Sequence, residues 1–139
     1  MRISMKKNDY AIILTHARKC APKEACGLLG GIETEDGTRE IRKVFLLTNL
    51  DDSSEHFTLD PKEQLRAVKD MRVLGIAPMG NWHSHPASPA RPSEEDKRLA
   101  YDPRATYLIL SLEDENRPVL NAFHIEGNMV RKEELVLVD

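Results

Sequence analysis

Residues 81–96 read Asn-Trp-His-Ser-His-Pro-Ala-Ser-Pro-Ala-Arg-Pro-Ser-Glu-Glu-Asp, and they constrain the fold more than any other stretch. His83 and His85 are two apart. Residues i and i+2 of a β-strand point to one face, so a strand here aims both imidazoles at one point. Pro86, Pro89 and Pro92 stiffen the following loop, and Ser93-x-x-Asp96 has the form of a capping box, with Ser93 as N-cap and Asp96 at N3. The chain therefore passes from strand through a stiff loop to a helix start within this window. Two neutral imidazoles and a carboxylate make a three-ligand set that leaves the fourth tetrahedral position to water, the layout of a catalytic zinc site. Plainer readings of the parts stay open. A His-x-His pair alone also fits a polar strand face, and Ser93 with Asp96 also fits a cap without any metal. Neither explains why a His-x-His strand runs directly into a capping box.

The order His-Ser-His, seven residues, Ser, two residues, Asp resembles the JAMM motif of the MPN-plus metalloproteases at every defined position. That family also carries an upstream catalytic Glu near a Cys-Gly-hydrophobic run. Here residues 22–31 read Pro-Lys-Glu-Ala-Cys-Gly-Leu-Leu-Gly-Gly, so Glu24 resembles that residue. The resemblance extends by element order over residues 10–137. It implies an α/β-type MPN fold, a curved, mixed and mainly antiparallel sheet with packed helices. It also implies zinc held by His83, His85 and Asp96, one ion per chain.

At 139 residues and 40% hydrophobic composition the chain suits one domain, residues 1–139. The net charge of −3 shows no basic excess, so nucleic acid is not an expected partner. The N-terminus has charge but no apolar run behind it, which argues against a signal peptide, and no stretch approaches the ~20 apolar residues of a membrane span. Cys20 and Cys26 form neither Cys-x-x-Cys nor a disulfide framework. A reducing cytoplasm is the expected compartment.

Tyr10, Ile13, Leu14 and Ala17 fall at i, i+3, i+4 and i+7, a helical stripe that Asn8 or Asp9 would cap and Pro22 would end. His16 lies near that stripe and reads as a boundary residue. Residues 25–32 read as a buried strand, with Gly30-Gly31 marking a bulge or close approach. Residues 39–48 form its hairpin partner, 49–55 a polar loop, and 56–59 a short strand. Asp60-Pro-Lys-Glu63 is a helix start, Leu65, Val68 and Met71 are its apolar face, and Gly75 is its C′ residue. Residues 79–85 carry the histidines, with Trp82 turned to the core and Ser84 away from its neighbours. Residues 93–101 form a short helix, and 106–112, 119–125 and 129–138 are strands, the first apolar enough to be central. His124 reads as a strand-face residue.

Zinc on His83, His85 and Asp96 would lower the pKa of its water toward ~7 and polarise a carbonyl. The match to the family assigns Glu24 as the carboxylate that shuttles the proton. Ser93 resembles the family serine that donates to the oxyanion. One hydroxyl can accept a helix N–H and still donate, so capping and catalysis are compatible. Zinc deaminases use His-x-Glu with Pro-Cys-x-x-Cys, and neither occurs here. The resemblance implies hydrolysis of the amide bond after the C-terminal Gly of a ubiquitin-like or sulfur-carrier protein. The lack of long insertions between motif elements looks like the compact prokaryotic members. An extended substrate tail is expected to pair with a sheet edge beside the zinc. A non-catalytic MPN scaffold and another zinc-dependent amide hydrolase are the alternatives. The complete motif argues against the scaffold. Oligomeric state is left open.

Overall fold

The computed structural model describes residues 1–139. In chain order the elements are β1 (Arg2–Lys6), α1 (Lys7–Cys20), β2 (Cys26–Glu33), β3 (Arg39–Leu47), α2 (Pro61–Leu74), β4 (Ala77–His85), α3 (Glu94–Arg98), β5 (Thr106–Ser111), β6 (Val119–Glu126) and β7 (Met129–Val138). No helix is long and apolar enough to cross a membrane.

The mixed sheet expected from the sequence closes on itself, in the order β1-β3-β2-β4-β5-β6-β7. The closing strand is β1, which runs parallel to both β3 and β7. The sequence reading assigned no strand there. Arg2 and Lys6 flank a stretch in which only Ile3 and Met5 are buried, too short for alternation to stand out. β4 and β5 are also parallel, and the remaining pairs are antiparallel. Closure is incomplete along β3: β1 pairs with it only through residues 39–41, so no strand covers its outer edge over residues 42–47, which end at Leu47 opposite Cys26 and leave an edge for an extended tail.

Ile3, Met5, Ile13, Ala17, Leu29, Ile41, Trp82, Leu108 and Leu110 pack in the main core, where α1 lies against β1, β3 and β7. Trp82 is fully buried and its indole N–H donates to the Phe45 carbonyl at 3.1 Å. Deleting such a side chain leaves a cavity worth about 3–5 kcal/mol. Gly27 makes room for it: a Cβ there would collide with the Phe45 carbonyl and the Trp82 nitrogen. The strand register slips at Gly30, against β3 on one side and β4 on the other, the irregularity that Gly30-Gly31 announced.

Several local expectations change. α1 begins at Lys7 with Lys6 as N-cap and no side-chain cap, so neither Asn8 nor Asp9 caps it. Its start is set by the strand that feeds it. Asp60 caps α2 by accepting from the Lys62 N–H, and Gly75 ends it in the left-handed region at φ 71°. Glu63 does not return to the cap; it accepts from the Thr48 amide and hydroxyl. Leu65 is exposed, because α2 packs through Ala67 and Met71. Residues 56–59 form no strand; a single bridge, Asn49 to Leu59, joins the ends of that loop. α3 is shorter than the expected 93–101.

Candidate metal centre

β4 lies between β2 and β5; the ladder to β2 ends at His83, and the one to β5 continues to His85. His83 and His85 are nearly inaccessible, at 3% and 4% exposure. The period of two sends both rings to one side, while Trp82 and Ser84 turn to the other. Ser84, wholly buried, accepts from the Ala25 N–H at 2.8 Å and donates its own N–H to the Ala25 carbonyl at 3.0 Å. It clasps the residue after Glu24 and is no nucleophile.

The loop after β4 is pinned through its carbonyls. Ser111 donates to the Ser88 carbonyl at 2.6 Å, and Asn121 donates to that of Ala90 at 3.0 Å. His85 Nδ1 lies 2.8 Å from the Pro89 carbonyl. A carbonyl only accepts, so Nδ1 carries the proton and Nε2 presents its lone pair. The capping box then forms as expected: Ser93 Oγ accepts from the Asp96 N–H at 3.0 Å, and the Ser93 N–H donates to Asp96 Oδ2 at 2.9 Å. The cap therefore aims the carboxylate.

Three atoms converge. His83 Nε2, His85 Nε2 and Asp96 Oδ2 are separated by 3.0, 3.1 and 3.2 Å. A tetrahedron with metal–ligand bonds of ~2.0–2.1 Å has edges of roughly 3.3 Å. At least two of the three atoms are bare acceptors, an arrangement that a divalent cation satisfies and a proton alone does not. Burial pushes the His83 pKa down and keeps that ring neutral. Burial also works to raise Asp96, but hydrogen bonds from His83, His85 and the Ser93 amide outweigh it and hold the carboxyl well below its usual range. His85 is pushed down by burial and up by Asp96 and the Pro89 carbonyl, and the upward pull wins. The residues present thus fit a metal ion.

Glu24 is 5% exposed, and its Oε1 has no hydrogen-bond partner. Burial, opposed by His85 and reinforced by Asp96, Glu95 and Glu55, raises its pKa to about 8. These neighbours place the carboxyl within the field of the metal triad. Phe57, expected from the sequence only as part of a short strand, stacks on the His83 ring at 4.6 Å and 24°. His56 beside it pairs with Glu95 on α3. A loop aromatic carries no periodic signal, so nothing in the sequence marked it as part of the site. His16 stands apart, edge-on to Trp82 and 3.5 Å from Cys20 Sγ. His124 pairs only with Glu126 on its own strand.

A cleft of about 670 Å³ shares Asn81, Leu99 and Tyr107 with the small hollow at His83 and Asp96.

Comparison with known proteins agrees with this geometry. Residues 6–125 match the family of prokaryotic homologs of the JAB domain. The CysO-cysteine peptidase of Mycobacterium tuberculosis is 35% identical over 127 residues, covering 91% of this chain and 85% of that protein. The desampylase of Haloferax volcanii is 31% identical over 115 residues, covering 79% and 81%. A solution structure of a Desulfitobacterium hafniense protein superposes with a TM-score of 0.90 at 52% identity, covering 99% and 93%. With its strands, its His-x-His pair and its capped Asp96 in this arrangement, the chain belongs to the prokaryotic JAB-domain family.

Proposed function

We propose that this chain is a zinc-dependent peptidase or isopeptidase. It hydrolyses the amide bond after the C-terminal Gly of a ubiquitin-like or sulfur-carrier protein. The observation that carries the reading is the convergence of His83 Nε2, His85 Nε2 and Asp96 Oδ2 within 3.2 Å of one another, in the field of a buried, unpartnered Glu24. The relatives named CysO-cysteine peptidase and desampylase support the substrate class. Residues 1–139 act as one catalytic domain in the cytoplasm, with one zinc ion per chain.

Zinc held by His83, His85 and Asp96 would supply an acidified water and polarise the scissile carbonyl. Glu24 takes a proton at its carboxylate from the attacking water and returns it to the leaving amine. A carboxyl raised toward neutrality both accepts and releases a proton readily, the condition for such a shuttle. Ser93 Oγ uses a lone pair on the Asp96 amide, which leaves its O–H to donate to the oxygen that gains charge. His85, fixed by the Pro89 carbonyl, keeps its Nε2 lone pair directed inward. The cleft beside Asn81 and Tyr107 gives an extended tail a path to His83 and Asp96. Glycine, with no Cβ, passes the buried triad without obstruction.

The test is a zinc-reconstituted enzyme with a ubiquitin-like carrier that bears a peptide after its Gly-Gly tail. The same carrier with Val-Val is the comparison. Mass spectrometry is expected to show release from the first alone. Equal release from both, or cleavage of unrelated unfolded proteins at comparable rates, would make the chain a general peptidase.

A further inference from the structure

Glu24 precedes β2 and so lies outside the barrel ladder, although its carboxyl must be held as closely as the metal ligands. Its backbone is gripped from the loop of residues 49–60. The Glu24 N–H donates to the Ser53 carbonyl at 2.8 Å, and the Glu24 carbonyl accepts from Asn49 Nδ2 at 3.1 Å. The same Asn49 Nδ2 donates to the His56 carbonyl at 2.9 Å. Asn49 Oδ1 accepts from the amides of Asp51, at 2.9 Å, and Thr58, at 3.1 Å. Both donors and both lone pairs of one side-chain amide are thus in use. Turning the amide over would set its donors against two N–H groups and its oxygen against two carbonyls, so the orientation is fixed by its partners.

These bonds join two things that catalysis needs together. One is the proton carrier. The other is the segment that bears His56, paired with Glu95 of α3, and Phe57, stacked on His83. We propose that Asn49 is a positioning residue that locks the Glu24 backbone to the 50–58 loop, so that the proton carrier and the cover over His83 are set as one unit. The proposal rests on the reading of Glu24 as the proton carrier. On the other side, Ser84 holds Ala25 to β4, so Glu24 is fixed between the metal strand and the loop. Without the Asn49 donors the Glu24 carbonyl loses its only side-chain anchor from the loop, and the Glu24–Ala25 peptide is held from its N–H side alone, by Ser84. A displacement of ~1 Å in a catalytic group costs about 10²-fold in rate.

The variant that isolates this role is Asn49→Asp. It keeps the acceptor for Asp51 and Thr58 but turns an oxygen toward the carbonyls of Glu24 and His56. Zinc content after reconstitution is expected to stay at the wild-type level. Turnover of a Gly-Gly carrier fused to a reporter peptide is expected to fall about 10–10²-fold, mostly in kcat. On a Glu24→Gln background the same substitution is expected to add no further loss, because it acts through Glu24. In the metal-free protein the Glu24 amide is expected to exchange with solvent faster, with the Thr58 amide still protected. Asn49→Ala, which introduces no charge, repeats the cycle if the Asp variant does not fold.

An equal loss on both backgrounds would make Asn49 a loop fastener with no part in placing the carboxyl. Normal turnover by Asn49→Asp, with Glu24→Gln inactive, would overturn this inference and leave the proposed activity standing. Normal turnover by Glu24→Gln would overturn both, and it is read from the single variant.

Discussion

The two walls of the metal centre are built differently. On one side His83 and His85 stand on a strand laddered to neighbours at both edges, and the loop behind them is held by Ser111, Asn121 and His85. On the other, residues 49–60 have one bridge of their own, a backbone bond from the Glu24 N–H to Ser53, and side-chain bonds from Asn49 and Ser53. The ladder wall opens only with the barrel. The loop wall breaks a few exposed hydrogen bonds to move, which places it at the low-stability end of the molecule. The difference teaches a division of labour. Two of the three metal ligands stand on the ladder, while Asp96 and the groups that meet a substrate are set by caps and side-chain bonds.

The comparison breaks first at the ladder wall. His83→Ala removes one of three converging ligand atoms, and loss of both bound zinc and turnover is expected. Metal analysis after zinc reconstitution, beside wild type, checks it. Equal zinc content in the two proteins would remove the strand from the metal site. Glu24→Gln tests the other wall and is the next largest effect. Zinc is expected to remain, and turnover to fall by ~10²–10⁴-fold, the usual contribution of a positioned proton carrier. Zinc loss from this variant would make Glu24 a ligand, and near-normal rates would exclude it as the base.

The same division decides what was legible in the sequence. His83 and His85 were readable because a period of two needs no partner to be recognised, and Ser93 with Asp96 because a capping box is local. Closure of the barrel was not. It depends on β1 finding β3 and β7, pairings remote in sequence that Ile3 and Met5 alone do not announce. On α2 the inward positions are Gln64, Ala67, Val68 and Met71, and a glutamine at the first of them hid the face, so Leu65 was placed inward wrongly. The site roles of Asn49 and Phe57 passed unnoticed because side-chain hydrogen bonds shape their loop, and such bonds leave no periodic trace.

Ser93 caps the helix whose Glu95 pairs with His56 of the loop, and Ser93→Ala tests what the cap itself contributes. Two losses are expected. Removing the cap costs about 1 kcal/mol of stability. Removing a hydroxyl donor to the developing oxyanion costs roughly 10²–10³ in rate. Zinc is expected to stay bound, because the bond that aims Asp96 Oδ2 comes from the Ser93 backbone and survives the substitution. Thermal melting and steady-state kinetics separate the two. A lowered Tm with unchanged turnover would leave Ser93 as a cap alone.

The smallest effect is read without any metal. Burial, with His85 opposing and the nearby carboxylates assisting, raises Glu24 from 4.5 to about 8. Below pH 4.5 the carboxyl is protonated in folded and unfolded chains alike. Between there and about 8 the unfolded chain releases the proton freely and the folded one retains it, so the folded state binds more protons and stability falls as pH rises. Glu24→Gln cannot ionise and escapes that slope. In metal-free protein the Tm of Glu24→Gln relative to wild type is therefore expected to climb across this window and to level off above it. Zinc loading should flatten the difference, since a divalent cation nearby favours the charged carboxylate. Melting curves at stepped pH, with and without zinc, measure both. A difference that does not change with pH in the metal-free protein would mean that Glu24 is solvated, and that the loop wall stands open when no metal is bound.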